Sequence, residues 1–198
     1  MSSDDSKVPE PPRDLLSSIP PLSEDALRIL RSAPMLAKLY EAIGRVAAAW
    51  SYLEALIDTA SIEIVPIPAE IGVCFTAQIA GSGRKLAAYI SLARYSRKLS
   101  GKLIQELDEF AQATARVAER RNRYVHDVWV YDYPKTPQRL EATANKILRL
   151  EYVDTPIEKI KKLAEEINDH ADKFAKISER VSSAPYAFLY KSPPESAR

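Results

Sequence analysis

Residues 36–60, LAKLYEAIGRVAAAWSYLEALIDTA, carry the clearest structural pattern in the chain. Their apolar side chains recur every three or four positions, at Leu36, Leu39, Ile43, Val46, Trp50, Leu53, Ile57 and Ala60. Because successive residues of a helix turn by about 100°, this spacing gathers them on one stripe. The stripe is wide and contains a tryptophan, so we predict a long central core helix that Pro66 and Pro68 terminate.

Three further segments downstream have the same helical spacing. One runs from Ser82 to about Lys98, with Leu86, Ile90 and Ala93 on its inner face. The next follows Gly101 and uses Leu103, Leu107, Phe110, Thr114, Val117, Arg121, Tyr124 and Val128. The last uses Ile160, Leu163, Ile167, His170, Phe174, Ile177 and Val181. We interpret His170 as a hydrogen-bonded histidine of the core or of an interface.

The start of the last helix and two intervening segments complete the expected fold. The residues Thr155, Pro156, Ile157 and Glu158 predict a capping box with proline at the first helical position. Residues 69–80 are apolar and fit a short helix or a strand. Residues 129–153 are rich in aromatic and β-branched residues with partial alternation. We therefore predict a mainly α protein, an antiparallel helical bundle with a small β-hairpin or meander around residues 129–153.

The chain divides into three parts by composition. Residues 1–22 are polar and proline-rich and are expected to be disordered or to form a partner-binding arm. Residues 23–182 are expected to form one helical domain, opened by a short helix that Ser23 caps and that ends by Pro34. Residues 183–198 form a C-terminal tail with aromatic residues, including Tyr186, that are candidates to dock elsewhere.

Composition narrows the function classes. The net charge of +1 excludes a general attraction of the whole protein to polyanions, so any nucleic-acid contact needs a local patch. The single cysteine, Cys74, cannot form an internal disulfide and is predicted to be a small buried residue. Because no Cys/His cluster has zinc spacing, we expect no metal or cofactor. No membrane span or secretion signal is recognisable, so we expect a cytoplasmic protein.

One residue breaks the apolar pattern, since Arg121 occupies a core-facing step of its helix. A guanidinium there needs an anion or acceptors, because burying an unpaired charge is costly. Asn122 and His126 are four residues apart and share a helix face, and the long side chain of Arg121 can reach the same spot. A forked cation, an amide and a base that titrates near neutral pH suit metal-free phosphodiester chemistry.

The same helix carries further candidates for RNA contact. Arg116, Arg120 and Arg123 are spaced by four and three residues and form a basic stripe that could follow a phosphate backbone. Tyr124 and Trp129 are nearby rings that could stack on bases. Alternatively, the three arginines form a solvated face whose charge is balanced by acidic neighbours. The two rings could equally belong to the core.

The order Arg121-Asn122-x-x-x-His126 near the end of a long helix resembles the signature of the HEPN superfamily (higher eukaryotes and prokaryotes nucleotide-binding domains). The helix with Trp50-Ser51-Tyr52-Leu53-Glu54 also looks like the first core helix of some members. The resemblance covers at most residues 35–182. It implies a dimeric helical bundle with paired, metal-independent ribonuclease sites, typical of toxins and defence systems, and regulatory partners such as antitoxins. Arg121 and His126 would then be catalytic and Asn122 supporting.

Two features depart from that family pattern. The β-like stretch is an addition to a minimal bundle, and Val128 stands where toxins silenced by a nucleotidyltransferase antitoxin carry a tyrosine. Glu54, at the edge of its stripe, is a candidate partner of Arg121 or His126. Three functions stay open: a homodimeric endoribonuclease, an inactive module that binds RNA or a nucleotide, and a structural helical protein that binds partners.

Overall fold

The computed structural model describes Ser23 and residues 34–130, 136–145 and 147–187. The arm predicted for residues 1–22, the short helix after Ser23 and most of the C-terminal tail lie outside these residues. The chain divides into two compact units, Met1–Ala37 and Lys38–Arg198. Residues 34–37 of the first unit belong to the first long helix, and the second unit holds the bundle and the sheet.

Five helices and a three-stranded sheet make up the described part of the chain. The helices are α1 (Pro34–Glu63), α2 (Ala69–Thr76), α3 (Ser82–Ser96), α4 (Gly101–His126) and α5 (Ile157–Ser183). The strands are β1 (Val128–Val130), β2 (Gln138–Asn145) and β3 (Ile147–Asp154). The predicted mainly α fold with a small β insertion is confirmed. The ambiguous segment 69–80 contains a helix, and the β insertion is a meander.

The long helices α4 and α5 pack side by side and run antiparallel. Three pairs set their register: Glu106 with Arg180, Thr114 with His170, and Arg120 with Glu166. In the aromatic core, Phe174 packs edge-on against Tyr89 of α3, with 5.2 Å between ring centroids. It also packs against Phe110 of α4, at 5.5 Å and a tilt of 35°. The apolar stripes thus face each other, because burying them removes a large area from water.

The sheet is antiparallel, with strand order β1-β2-β3. Val128 pairs with Leu140 and Leu140 with Tyr152, so these three residues lie on one face of the sheet. Trp129, Arg139 and Val153 alternate with them and lie on the opposite face, which packs against the end of α4. The first face is apolar and exposed: Val128, Val130, Leu150 and Tyr152 are all open to solvent.

Three sequence predictions are wrong in detail. Cys74 is exposed, because Gly72 is the buried position of α2 and lies against Ile62 of α1. Val128 does not continue the stripe of α4, since the helix ends at His126 and Val128 starts an exposed strand.

The third prediction that is wrong in detail is the capping box at the start of α5. Pro156 is the N-cap and no side chain caps the helix. Thr155 is buried, and its hydroxyl donates to the carbonyl of Val153 instead.

The first residues of the predicted tail are anchored on the bundle. Lys98 N–H donates to the carbonyl of Pro185, and Ala187 N–H donates to that of Ser96, so residues 184–187 lie beside the end of α3. The guanidinium of the buried Arg97 lies 3.6 Å from the ring centroid of Tyr186 and donates to the carbonyl of Ala184. Among the described residues, no helix combines the length and the apolar character that crossing a membrane requires.

Candidate functional site

The C-terminal end of α4 brings the predicted trio together. The Arg121 guanidinium donates through Nη1 to Asn122 Oδ1 at 3.0 Å and contacts His126 Nε2 at 3.1 Å. Asn122 and His126 are exposed, and Arg121 is half-buried. A cation, an amide and an imidazole therefore share one solvent-reachable spot. Because all three lie within six consecutive residues of one helix, they need no other element to be brought into contact.

The contact between Arg121 and His126 fixes where the imidazole proton sits. Arginine only donates hydrogen bonds, so Nε2 of His126 must be the acceptor and the ring proton must reside on Nδ1. The lone pair that a general base would use is therefore directed at the guanidinium. An incoming phosphate that draws Arg121 toward its own oxygens would release that lone pair for proton transfer.

The surroundings of Arg121 lack a compensating carboxylate. Among the described residues, no acidic side chain lies within ion-pair distance of its guanidinium, whereas neighbouring arginines have such partners. Instead, Cζ of Arg121 lies 5.9 Å from the ring centroid of Trp50, which is buried in α1. Nε of Arg121 is also buried without a hydrogen-bond partner. A half-buried cation held by neutral groups and an aromatic face retains a strong attraction for an anion.

The predicted basic stripe is mostly engaged in ion pairs. Arg120 forms a bidentate pair with Glu166 at 2.8 and 2.5 Å, which lowers the pKa of Glu166 and raises that of Arg120. Arg123 lies 3.5 Å from a carboxylate oxygen of Glu141 and 3.8 Å from one of Asp127. Arg116 is exposed. Arg120 and Arg123 thus match the alternative interpretation, in which acidic neighbours balance the charge of the stripe.

Tyr124 and Trp129 have structural contacts at the junction of helix and sheet. The indole N–H of Trp129 donates to the carbonyl of Tyr124 at 2.9 Å, and so satisfies one of the last carbonyls of α4. The two rings lie 6.3 Å apart at a tilt of 54°, and both are half-buried. Their contacts hold β1 against α4, which leaves only part of each ring accessible to a base.

A buried ion-pair cluster anchors the sheet directly behind the trio. Arg139 of β2 is buried, pairs closely with Asp127, and donates to Glu141 at 3.0 Å. Its guanidinium also lies 5.7 Å from the ring centroid of Tyr124. Because Asp127 follows His126, this cluster fixes the chain where it leaves the helix. Sequence reasoning missed Arg139, whose only signal was a charged residue within an alternating strand.

Glu54 and His170 lie outside the trio. Glu54 is half-buried on α1, and no hydrogen bond or ion pair of the described residues joins it to Arg121 or His126. His170 stacks on Phe110, with centroids 4.1 Å apart, and bonds to Thr114 Oγ1 at 2.7 Å. Burial lowers the pKa of His170, as does Lys173, while Glu166 opposes them. The hydrogen bond predicted for His170 is therefore present, and the ring is half-buried between α4 and α5.

No group of three or more His, Cys, Asp or Glu side chains in the described residues is placed to hold a metal ion. Comparison with known proteins gives no relative to set beside this geometry. No protein-family model matches the chain, and searches of curated proteins and of solved structures found no match.

Proposed function

We propose that the chain is a metal-independent endoribonuclease of HEPN type, with Arg121, Asn122 and His126 as its active site. The observation that carries the proposal is the half-buried guanidinium of Arg121, held by an amide, an imidazole and the Trp50 ring, with no carboxylate in ion-pair contact among the described residues. Such a cation is matched to the oxygens of a phosphodiester.

The chemistry assigns one role to each side chain. His126 takes the proton of a ribose 2′-hydroxyl, and the resulting oxygen attacks phosphorus. The bond from phosphorus to the 5′ oxygen breaks, and the leaving oxygen receives a proton from the imidazolium. Arg121 stabilises the negative charge that develops on the phosphate, and Asn122 orients the guanidinium through its amide oxygen. The products are a 2′,3′-cyclic phosphate and a 5′-hydroxyl.

The proposal extends to the protein's partners and setting. RNA is the substrate, with Arg116 as an added phosphate contact on the same helix. A homodimer acting in the cytoplasm as a toxin or defence protein, under the control of an antitoxin or another regulatory protein, fits the family resemblance. The engaged charges of Arg120 and Arg123 leave the trio as the main attraction for phosphate.

A second candidate is a module that binds RNA or a nucleotide without cleaving it. The observation that favours it is the donor contact of Arg121 on Nε2 of His126, which occupies the lone pair of the base. If a bound phosphate leaves this contact in place, the site holds phosphate but cannot accept a proton. Such binding would still depend on salt, because counterions are released from the nucleic acid.

Cleavage of labelled RNA by purified protein in the presence of EDTA tests the two candidates. Wild type is compared with His126→Ala, and His170→Gln serves as the matched histidine control away from the trio. We expect His126→Ala to lower the rate by about 10²-fold or more, because positioned acid–base groups contribute about 10²–10⁴-fold. His170→Gln should cleave like wild type and give the same cyclic phosphate ends.

Each outcome selects one candidate. Equal cleavage by wild type and His126→Ala, with matching circular-dichroism spectra, rejects the ribonuclease. No cleavage by either protein, together with salt-dependent RNA binding that Arg121→Ala removes, selects the binding module. If the protein neither cleaves nor binds RNA, both candidates are rejected and the helical domain has a structural role.

A further inference from the structure

The outer strand of the sheet, β3, is open on two sides. In the described sheet it pairs with β2 along one edge only, so its other edge presents unpaired backbone groups. Leu150 and Tyr152, on its apolar face, are 62% and 59% exposed. Residues 147–154 contain neither proline nor lysine, the residues that commonly protect a free edge from pairing.

The sequence of β3 is complementary to itself when it is read in the antiparallel direction. With Leu150 at the centre, Arg149 falls opposite Glu151, Leu148 opposite Tyr152, and Ile147 opposite Val153. Each apolar residue thus meets an apolar residue, and each charge meets its opposite. Opposite charges directly across two strands stabilise the pair, and so do aliphatic–aromatic pairs.

The charge of Glu151 adds an independent reason for this register. Within the chain, Glu151 lies directly opposite Glu141 of β2, and like charges at such positions are destabilising. The ion pairs of the described residues balance Glu141 with Arg123 and Arg139, but none includes Glu151. An arginine on the open side of β3 would balance this carboxylate, and the self-paired register supplies one.

We propose that β3 pairs with β3 of a second copy of the chain, antiparallel and centred on Leu150. The two sheets then form one six-stranded sheet about a two-fold axis. Leu150 meets its own counterpart, and Arg149 of each copy lies opposite the partner's Glu151. A two-fold axis requires such a self-complementary surface. The exposed apolar face becomes continuous across both copies.

This arrangement does not depend on RNA cleavage, and it separates the two trios. The two β1 strands, each of which starts two residues after His126, are five strand spacings apart, about 24 Å. Pairing at β3 alone therefore does not bring the two trios together.

A cysteine placed at the centre of the pairing tests its register. In a Cys74→Ser background, Leu150→Cys brings two Cα atoms to about 4.5–5.5 Å, which suits a disulfide. Tyr152→Cys is the matched control, because its two copies lie four residues apart along the strands, about 13 Å. We expect rapid disulfide-linked dimers on mild oxidation for Leu150→Cys alone. Equal or absent cross-linking of the two folded variants would overturn the register.

Charge exchange tests the same interface without cysteines, by sedimentation equilibrium. Glu151→Arg places two arginines opposite each other, so we expect the mass of a monomer. Exchanging both charges, with Arg149→Glu and Glu151→Arg together, should restore the dimer, and Glu179→Arg on the distant end of α5 should leave it intact. A monomeric wild type at high concentration, or a double exchange that stays monomeric, would overturn the proposal, and cleavage activity would not affect either result.

Discussion

Nη1 of Arg121 lies 3.1 Å from Nε2 of His126, so the two groups that we propose to act on one phosphate contact each other directly. The guanidinium holds the imidazole in one tautomer and partly occupies the place where a substrate hydroxyl would approach. In the proposed mechanism, the lone pair of Nε2 becomes available when Arg121 transfers its hydrogen bond to a phosphate oxygen.

The two histidines should carry their protons on different nitrogens. His126 accepts from Arg121 at Nε2, whereas His170 must donate from Nε2, because the single hydroxyl hydrogen of Thr114 is directed to the carbonyl of Phe110. Above neutral pH, ¹H–¹⁵N correlation spectra of the imidazole rings should show an Nδ1–H form for His126 and an Nε2–H form for His170. The same tautomer at both residues would contradict this assignment.

Replacing Arg121 should lower the rate of RNA cleavage even when the positive charge is kept. Arg121→Ala removes the group that stabilises phosphate charge, and we expect RNA cleavage to fall by about 10²–10³-fold, as when one oxyanion donor is lost. Arg121→Lys should recover little, because an ammonium group lacks the planar fork. Arg180→Ala, at the opposite end of the bundle, is the charge-matched control and should cleave like wild type.

Protonation of His170 should destabilise the fold. Its pKa is lowered in the folded state, so the unfolded chain binds the proton first as the pH falls. The stability from the neutral ring is fully present above its unfolded pKa, about 6.5, and is lost as the pH falls through the lower folded pKa. Urea denaturation should therefore give a decreasing free energy of unfolding from pH 7 toward pH 5.5.

His170→Gln tests the origin of that pH dependence. In this variant the free energy of unfolding should fall less between pH 7 and pH 5.5 than it does in wild type, because the ring that takes up the proton on unfolding is absent. The Glu166 carboxylate has a lowered pKa, so its contribution is lost only when the pH falls below its ordinary value of 4.5. An unchanged slope in His170→Gln would assign the effect to another group.

Removing Arg139 should weaken the junction between helix and sheet. Arg139→Ala leaves the carboxylate of Asp127, whose side chain is 15% exposed, with only the longer contact to Arg123. Breaking a buried ion pair costs about 3 kcal/mol, and we expect a loss of that size in urea denaturation. The exposed ion pair between Arg180 and Glu106 serves as the comparison. Arg180→Ala should change the free energy of unfolding by less than about 1 kcal/mol.

Local periodicity predicted most of the bundle but not the details that depend on neighbouring elements. The stripes of α1, α4 and α5 follow from spacing alone, and so did the break at Arg121. The exposure of Cys74 did not, because which side of α2 meets α1 is decided by Gly72 against Ile62. Thr155 likewise matched a capping pattern, yet its hydroxyl bonds to Val153 at the end of β3.

Within the candidate site, the contacts inside helix α4 were predictable from the sequence, and the contacts from other elements were not. The Arg121–Asn122–His126 contacts join residues at most five apart, so helix geometry determines them. The ring beneath Arg121 comes from Trp50, and the pair behind His126 comes from Arg139, which is 12 residues from Asp127. Such long-range contacts depend on how helices and strands pack, and spacing within one element carries no signal for them.

The cation–π contact of Arg121 with Trp50 makes the intrinsic fluorescence of the protein a direct test of site occupancy. Indole emission responds to a cation over its ring, so any anion that draws the guanidinium away should change the Trp50 fluorescence. The chain has 2 tryptophans, and a Trp129→Phe background would isolate this signal. Titration with short oligonucleotides or inorganic phosphate could then follow occupancy of the site directly, without a label and whether or not turnover occurs.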